Sequence, residues 1–541
     1  MIMKLKLVRI RTFYWVEAWQ EWMRAPLTAK LRNSYDSVEY TKDCFYPQSD
    51  GSVLFLAGLI EEFEKAANRA GYDLEIIDGR DPNPNDLEPH FDEMHADLRY
   101  KQADVINAFV TNDKGLITCT TGFGKGFCLK QLCAIYPQAK IVITTARRLV
   151  VDQLYENISQ LLGKNEVGKC YGGTPSTEDE KRVTVVSMAS LERAALDTCD
   201  IFVVDEVHNV GDNKAFKTIV ERAGNCKMFG LSASPKRGDG GLTLIKALFG
   251  KVIATCSYQE AADNGMVTPI KAVMPTYPHK PITRMTDFPI INKRIHYWQN
   301  WQRNAFIASV TLDIPADAQT VISVTTLEHA LFLKARPELK DWLILHSGKV
   351  DTGKVQVPFN LDTAPSEAFL ATDKKANDRL DRYVVFPGDD THFPGFVGKF
   401  GDYFTFAQAM ERLVFVETGK PVCAEEDKVK SIAGFDPKDF SLNKRQYNQM
   451  ASAIKNGEIK RAIATTVIKE GVDMNHLRFL IRADGESSGI FNTQVSGRLS
   501  RKLDGKDYAI LLDPYDDDNP WVKGRSEARR KLYINNGWMV K

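Results

Sequence analysis

Short apolar stretches rich in β-branched residues recur along most of the chain, and segments with helical spacing or turn residues separate them. A first group comprises GLITCT, AKIVITT, VTVVSM, IFVVDE and MFGLSAS. A second group begins after ADNGMVTPI and comprises QTVISVTT, WLILHS, RAIATT, LRFLIR and YAILLD. Strands that alternate with helices in this way predict two α/β domains in tandem, each with a parallel sheet.

The first part of the chain has a different pattern. MKLKLVRIR predicts a strand, and WVEAWQEWM has the i, i+4, i+7 apolar spacing of an amphipathic helix. GLIEEFEKAANRAGYDLEIID predicts a helix and a strand, and DGRDPNPNDLEPH predicts a linker. We interpret the aromatic residues of WVEAWQEWM as core packing, with a surface for base stacking as the alternative.

Composition and charge place few limits on function. The 541 residues are 43% apolar and 26% charged with a formal net charge of +1, which leaves room for a local basic face. The nine cysteines form no CxxC pair, which favours reduced thiols over a zinc site. No apolar stretch reaches membrane-spanning length and no signal peptide is evident, so we expect a cytoplasmic location and no membrane partner.

A glycine-rich loop, TCTTGFGKGF, lies between the strand GLITCT and the helical stretch FCLKQLCAI. Gly122 and Gly124 allow backbone N–H groups to turn toward phosphate oxygens, and Lys125 can reach the β and γ phosphates. The usual phosphate loop ends in Gly-Lys-Ser or Gly-Lys-Thr because that hydroxyl binds Mg²⁺, whereas Gly126 stands at this position here. Taken alone, the loop is equally compatible with a plain turn.

Two adjacent acids, Asp205 and Glu206, end the apolar stretch IFVVDE. Buried carboxylates are costly unless they hold a metal or take part in proton transfer. We interpret Asp205 as a ligand of Mg²⁺, directly or through water, and Glu206 as the residue that orients and deprotonates an attacking water. An exposed acidic turn is the alternative, and the glycine loop upstream argues against it.

Basic residues follow a helical spacing in NTQVSGRLSRK. Gln494, Arg498 and Arg501 stand at i, i+4 and i+7, which predicts one face of a helix. Arg498 and Arg501 could point together at a γ-phosphate as arginine fingers. A solvated basic helix is the alternative for this stretch.

In this order the motifs resemble those of superfamily 2 helicases of the DExH type. LRYKQADVINAF resembles the segment that reads adenine, and the next matches are CTTGFGKG (motif I), IVITTARRLVVDQ (Ia), TVVSMASL (near Ib), DEVH (II) and LSASPKR (III). VISVTTLEHA, IATTVIKEGVD and QVSGRLSR resemble motifs IV, V and VI. The resemblance covers roughly residues 98–350 and 441–515, and the flanking segments are similar to those of bacteriophage DNA helicases of the UvsW type.

The resemblance implies roles for individual residues. Those expected to bind the nucleotide are Gln102 (as the base contact), Thr121, Gly122, Phe123, Gly124, Lys125, Gly126, Gly471 and Asp473. Those expected in catalysis are Lys125, Asp205 (also the metal ligand), Glu206, Gln494, Arg498 and Arg501. Those expected to contact nucleic acid are Thr145, Arg147, Ser187 and Thr465, and those expected to couple the two sites are His208, Ser232 and Ser234.

The implied fold class is α/β, with two tandem RecA-like domains that contain parallel sheets and a small α+β N-terminal domain. We expect an accessory or DNA-binding domain at 1–93, an ATP-binding domain at 94–268, a second RecA-like domain at 269–515 and a basic tail at 516–541. An insertion at about 351–440 contains the aromatic stretch THFPGFVGKFGDYFTF. We interpret that stretch as a small core, with a strand-separating or stacking surface as the alternative.

The implied activity is translocation on branched, forked or single-stranded DNA with ATP and Mg²⁺, with phage replication or recombination proteins as further partners. Contacts to the DNA backbone predict salt-sensitive binding with little sequence preference. Water can replace the hydroxyl missing at Gly126, because Mg²⁺ retains several waters in proteins, so we expect a working ATPase. The alternatives are an RNA helicase or annealing factor, a non-hydrolysing nucleotide-gated DNA-binding module, and a restriction-type translocase subunit.

Overall fold

A computed structural model describes residues 3–32, 38–80, 87–94, 97–172, 181–211, 213–233, 240–346, 369–371, 385–386, 395–396, 413–415, 440–465, 474–487 and 497–538. Its contacts divide the chain into two compact units, Met1–Val267 and Thr268–Lys541. Within the described ranges, no helix has both the length and the apolar character needed to cross a membrane.

The first unit begins with a small α+β domain, as the sequence predicts. Its strands are β1 (Met3–Ile10), β2 (Phe13–Val16), β3 (Thr28–Arg32), β4 (Glu39–Asp43), β5 (Phe45–Pro47), β6 (Val53–Leu56) and β7 (Tyr72–Asp78), and its helix is α1 (Ile60–Arg69). Five strands form a sheet in the order β5-β6-β2-β1-β7, in which only β1 and β7 are parallel. Strands β3 and β4 form a separate antiparallel ribbon.

The predicted amphipathic helix over WVEAWQEWM is wrong. Strand β2 occupies its beginning, and two short 3₁₀ helices, Glu21–Met23 and Ala25–Leu27, follow. The aromatic residues nevertheless pack as predicted, since Trp19 stacks on Phe45 with ring centroids 4.5 Å apart. A strand followed by tight turns brings the same apolar side chains to the core, so the spacing alone did not distinguish the two conformations.

The larger domain of the first unit contains the first predicted parallel sheet. Its strands are β8 (Lys114–Cys119), β9 (Ile141–Thr145), β10 (Val167–Cys170), β11 (Val183–Ser187), β12 (Ile201–Asp205), β13 (Lys227–Ser232) and β14 (Val252–Cys256). They lie in the order β10-β11-β9-β12-β13-β8-β14, and every pair is parallel. The helices are α2 (Gln102–Thr111), α3 (Lys125–Ile135), α4 (Arg148–Leu162), α5 (Lys214–Arg222), α6 (Leu242–Phe249) and α7 (Tyr258–Asp263).

The N-terminal domain and this sheet domain share one hydrophobic core. Gly58 lies against the end of α6, where a Cβ atom would come within 2.0 Å of the Lys246 carbonyl oxygen. The Lys30 carbonyl oxygen approaches Gly240 so closely that a Cβ there would lie 2.1 Å away. The domain boundary predicted near residue 93 therefore falls inside the first unit.

The second unit contains the second predicted parallel sheet. Its strands are β15 (Ile270–Val273), β16 (Gln319–Ser323), β17 (Leu343–Leu345), β22 (Arg461–Ala464), β23 (Leu477–Arg482) and β24 (Ala509–Leu512), in the order β15-β24-β23-β16-β22-β17. Every pair in this sheet is parallel. The described helices are α8 (Pro289–Lys293), α9 (Trp301–Val310), α10 (Leu327–Lys334), α11 (Lys444–Lys455) and α12 (Pro520–Asn535), with a π-helical turn at Arg294–Trp298.

Of the insertion expected at about 351–440, the structure describes two short antiparallel pairs. Strand β18 (Phe369–Ala371) pairs with β21 (Leu413–Phe415), and β19 (Val385–Phe386) pairs with β20 (Gly395–Phe396). Apart from β20, the aromatic stretch THFPGFVGKFGDYFTF lies outside the described residues. Both interpretations of that stretch stay predictions.

The C-terminal tail contains helix α12, which is anchored by buried ion pairs. Arg529 Nε on α12 lies 2.8 Å from Asp513 Oδ2, and neither side chain is exposed. Beyond the helix, the Trp538 carbonyl oxygen accepts a hydrogen bond from the Ala272 N–H at the edge strand β15.

Candidate nucleotide and nucleic-acid site

The predicted motifs of the first unit meet at the carboxyl edge of its parallel sheet. Strand β8 ends just before the glycine loop, β12 ends at Asp205, and β13 ends at Ser232. Strand β13 pairs with both β12 and β8, so these three strand ends are adjacent. Open α/β sheets bind ligands in the crevice outside the carboxyl ends of their strands.

The glycine loop has the backbone of a phosphate cradle. Gly122 and Gly124 have φ values of +88° and +97°, a left-handed region that favours glycine. A Cβ on Gly124 would lie 2.7 Å from Gln102 Nε2 and 2.8 Å from Arg99 Nη2, so a larger residue would displace the ends of these two side chains. Helix α3 begins at Lys125, and the N–H groups of its first turn therefore border the loop.

Gln102, the predicted base contact, is hydrogen-bonded to the glycine loop. The residue is 1% exposed, and its Nε2 donates to the Phe123 carbonyl oxygen at 2.9 Å. Its Oε1 accepts from the Arg99 N–H at 2.9 Å, and Arg99 Nη2 donates to the same Phe123 carbonyl at 3.1 Å. Arg99 was missed by sequence reasoning, because only the fold brings it to the loop.

Gly126 lies in the first turn of α3 with space beside it. A Cβ built there would meet Leu154 Cδ2 at 3.6 Å, which is an ordinary van der Waals contact, and the residue does not have a positive φ. Glycine is therefore not required by packing or by backbone conformation at this position. Thr121, the remaining predicted nucleotide contact of the loop, is half-buried.

Lys125 and Asp205 interact electrostatically beside the loop. Lys125 Nζ donates to the carbonyl oxygen of Cys119 at 3.0 Å. Asp205 Oδ1 is shielded from solvent and has no hydrogen-bond partner among the described residues. Burial and, after it, the Glu206 carboxylate raise the pKa of Asp205 to about 7, whereas the charges of Lys125 and His208 oppose the shift.

The residues after Asp205 connect two motifs. Glu206 has a φ of +55°, a strained conformation for a residue that is not glycine, and such strain is concentrated at functional sites. Its Oε2 lies 3.3 Å from His208 Nδ1, and that nitrogen lies 3.1 Å from Ser232 Oγ. A continuous chain of polar contacts thus links DEVH to LSASPKR; Ser234 lies outside the described residues.

These residues fit a nucleotide with Mg²⁺. The loop has the positive φ values of a phosphate cradle, and the Lys125 amine lies beside its preceding strand. Mg²⁺ prefers oxygen ligands, and Asp205 Oδ1 is an oxygen without another partner in the described chain. A cation there would also relieve the repulsion between the carboxylates of Asp205 and Glu206.

Three of the predicted nucleic-acid contacts lie together at the same edge of the first unit. Thr145 and Ser187 are register partners at the ends of β9 and β11, and both are buried. Arg147 stands directly before α4, and its Nη1 is shielded from solvent without a partner in the described parts of the chain. An unpaired guanidinium nitrogen at a helix N-terminus suits a phosphate oxygen.

The fourth predicted contact, Thr465, lies in the second unit. It follows β22 directly, and its N–H donates to the Leu345 carbonyl oxygen at 3.0 Å. This position is the carboxyl edge of the second sheet. Gly471, Asp473 and Gln494 lie outside the described residues, and their roles stay predictions.

The predicted helical face that carries Arg498 and Arg501 is wrong for these two residues. Gly497 is helical, but residues 498–500 form a turn and Arg501 follows it. Ser500 Oγ donates to the Gly497 carbonyl oxygen at 2.7 Å, a local side-chain bond that competes with helical hydrogen bonding. Both arginines belong to the second unit, whereas the phosphate cradle belongs to the first.

The sequence of the first unit matches a known family. A protein-family model described as "Type III restriction enzyme, res subunit" matches residues 95–237, which include the cradle, the acid pair and the motif at Ser232. Over these residues the sequence is similar to that family. The predicted resemblance to superfamily 2 helicases is confirmed as a resemblance, and the two parallel sheets with their helices confirm the predicted pair of RecA-like domains.

Curated proteins similar to parts of this chain include a helicase and a translocase. "Putative DNA 3'-5' helicase Rad25" of Halobacterium salinarum is 26% identical over 221 residues, which are 39% of this chain and 34% of the relative. "DNA 3'-5' translocase XPB2" of Sulfurisphaera tokodaii is 27% identical over 169 residues, which are 31% of this chain and 37% of the relative. The chain thus matches about a third of the length of each.

Solved structures similar to the chain include the UvsW helicase of bacteriophage T4. One structure of UvsW has a TM-score of 0.39 with 15% identity and covers 99% of both chains. A structure of S. cerevisiae Dbp5 bound to RNA and ADP BeF3 has a TM-score of 0.47 with 11% identity, and covers 84% of this chain and 95% of that chain.

Proposed function

We propose that the chain is an ATP-dependent DNA helicase or translocase that remodels branched or forked DNA. The observation that carries the proposal is the assembly of the glycine cradle, Lys125, Asp205 and Glu206 at one sheet edge. The names of the archaeal relatives, a DNA helicase and a DNA translocase, support DNA as the substrate.

The residues of the first unit would divide the chemistry as follows. Lys125 would exchange its bond to the Cys119 carbonyl for the β and γ phosphates of ATP. Asp205 would hold Mg²⁺, which when bound neutralises phosphate charge. Glu206 would orient the attacking water and accept its proton, and a strained backbone such as that of Glu206 is typical of functional sites.

Arg498 and Arg501 would complete the reaction from the second unit. Their guanidinium groups would stabilise the charge that develops on the γ-phosphate, as arginine fingers do in phosphoryl transfer. His208 and Ser232 would report the state of the nucleotide, because their contact joins the acid pair to the following motif. Arg147, Thr145, Ser187 and Thr465 would hold phosphates of the nucleic acid without reading bases.

The test is steady-state ATP hydrolysis with Mg²⁺ in the presence of no nucleic acid, single-stranded DNA, forked DNA or RNA. We expect the highest turnover with forked DNA and loss of turnover in Lys125→Ala. Lys130→Ala, on the same helix and outside the loop, serves as the matched control and should retain turnover.

Other outcomes would favour the alternative functions. Stimulation by RNA alone would favour an RNA helicase, since backbone contacts are shared and 2′-hydroxyl contacts discriminate. Nucleotide-dependent DNA binding without turnover above the Lys125→Ala level would favour a binding module, and Gly126 is the residue that motivates this alternative. Equal stimulation by single-stranded and forked DNA would contradict the preference for branched substrates.

A further inference from the structure

The segment that carries both arginines, residues 497–501, is held by side chains that the proposed mechanism does not use. We call this segment the arginine turn. Lys506 Nζ donates to the carbonyl oxygens of Leu499 at 2.7 Å, Arg501 at 3.0 Å and Asn475 at 3.2 Å. The first two acceptors belong to the arginine turn, and the third belongs to the segment just before β23.

A second anchor comes from the residue at which the second unit begins. The Thr268 N–H donates to the Ser500 carbonyl oxygen at 2.8 Å, and Thr268 Oγ1 donates to the Arg501 carbonyl oxygen at 3.0 Å. Strand β15, which follows Thr268, pairs with β24 of the sheet. Three successive carbonyl groups of the arginine turn, at residues 499–501, are therefore bonded to Lys506 or Thr268.

The position of Lys506 is energetically costly, and its three hydrogen bonds offset part of that cost. The residue is 5% exposed, and burial together with the nearby charges of Arg478 and Arg501 lowers the pKa of its amine to about 7. An ammonium group has three N–H donors, and the three carbonyl oxygens can accept one each. Charge-assisted hydrogen bonds of this kind are stronger and geometrically stricter than those of neutral groups.

We propose that Lys506 is a positioning residue for Arg498 and Arg501, with Thr268 as the second anchor of the same turn. The proposal rests on the proposed function, in which both arginines contact the γ-phosphate. By fixing the carbonyls on either side of residue 500, the ammonium fixes the backbone from which the guanidinium groups project. A misplacement of about 1 Å in such a group reduces turnover on the order of 10²-fold.

The first test is kinetic and compares Lys506→Met with Lys502→Met in the full chain. Methionine retains the length of the side chain and removes all three donors, whereas Lys502 is an exposed neighbour outside these bonds. We expect Lys506→Met to lower kcat on the order of 10²-fold while KM for ATP changes less than about twofold. In a background of Arg498→Ala and Arg501→Ala the same substitution should cause no further loss, because it acts through the arginines.

The second test does not depend on turnover. Amide hydrogen exchange at Thr268 reports whether its N–H stays bonded to the arginine turn, so exchange should accelerate about tenfold or more in Lys506→Met and stay unchanged in Lys502→Met. Thr268→Val removes only the hydrogen bond of the hydroxyl group, so it should lower kcat less than Lys506→Met does. It replaces Lys506→Met as the test variant if that protein does not fold.

The outcomes separate this inference from the proposed function. A wild-type chain without ATPase activity would contradict the proposed function, and the exchange experiment would still decide whether Lys506 holds the turn. Unchanged exchange in Lys506→Met would overturn the inference even if the wild type is active. Equal losses in kcat with and without the two arginines would also overturn it, since the lysine would then act on the fold in general.

Discussion

At the scale of single residues, Gly126 is the position at which this cradle departs from the usual phosphate loop. A side chain fits there, because the nearest atom that a Cβ would meet is Leu154 Cδ2 at 3.6 Å. We expect Gly126→Ser to lower the Mg²⁺ concentration for half-maximal ATPase activity about threefold or more, since the hydroxyl replaces a water ligand. Titration of turnover with Mg²⁺ at saturating ATP measures this effect.

The matched control for Gly126→Ser is Gly126→Ala, which adds the same Cβ without the hydroxyl. Both substitutions favour helix over glycine by up to about 1 kcal/mol, so a gain in stability alone would be shared by the two variants. An equal shift of the Mg²⁺ requirement in both would therefore contradict a role for the hydroxyl.

Gly124 is the residue of the cradle at which an added side chain would displace two neighbouring side chains. Alanine there meets Gln102 and Arg99 at 2.7 Å and 2.8 Å, in addition to the strain of a φ of +97°. We expect Gly124→Ala to weaken binding of a fluorescent ATP analogue more than about tenfold. Gly163 has a φ of +90° with a ψ of 151°, a region nearly restricted to glycine, and nothing lies within 4 Å of its Cβ position, so Gly163→Ala adds only backbone strain of about 1–3 kcal/mol.

The comparison of these two alanines separates crowding from strain. Both variants should unfold at lower temperature than the wild type, because both force a Cβ into the left-handed region. Only Gly124→Ala should lose nucleotide affinity. A similar loss in Gly163→Ala would mean that general destabilisation, and not the shape of the cradle, controls binding.

At the scale of elements, the sequence predicts strands better than it predicts turns and contacts. Each β-branched stretch proposed as a strand is one, because buried parallel strands are nearly continuous apolar runs. The helix predicted over WVEAWQEWM is wrong because a helix and a strand followed by two 3₁₀ turns place the same apolar residues in the core. Arg99 and Lys506 have no local signal, since their acceptors are backbone carbonyls that only the tertiary fold brings within reach.

The start of strand β8 provides a prediction about stability and pH. Lys114 Nζ is shielded from solvent without a hydrogen-bond partner among the described residues, although the residue as a whole is half-buried. Burial lowers the pKa of Lys114 from 10.5 to about 7, and the charges of Arg9 and Arg80 act in the same direction. Between those two pH values the unfolded chain binds more protons than the native chain, so native stability should rise with pH.

Lys114→Met should remove that dependence. We expect the variant to be more stable than the wild type at pH 7 and to show a flatter profile between about pH 7 and pH 9, because methionine has no buried amine to desolvate. Urea unfolding at several pH values measures both effects. Lys217→Met, at an exposed position, should keep the wild-type dependence of stability on pH. Parallel profiles for all three proteins would contradict the lowered pKa of Lys114.

At the scale of the whole molecule, the N-terminal domain is built into the first unit. It shares a hydrophobic core with the parallel-sheet domain, and Arg80 Nη1 lies 2.9 Å from Asp113 Oδ2 across the junction. A second ion pair joins Lys251 to Glu61 at 3.1 Å, beside the close approach of Gly58 to α6. Burial of apolar surface, more than the exposed ion pairs, supplies the stability of this junction.

This junction should persist without the covalent connection between the domains. If a protease site replaces residues 81–86 and is cleaved, the two fragments should elute together in size-exclusion chromatography and separate only in denaturant, because the shared core does not depend on the connection. Gly58→Leu should make the cleaved fragments separate in native buffer, since its side chain cannot fit where even a Cβ would lie 2.0 Å from the Lys246 carbonyl. Separation of the unsubstituted fragments in native buffer would show that the N-terminal domain is held mainly by its tether, and it could then move independently of the nucleotide cradle.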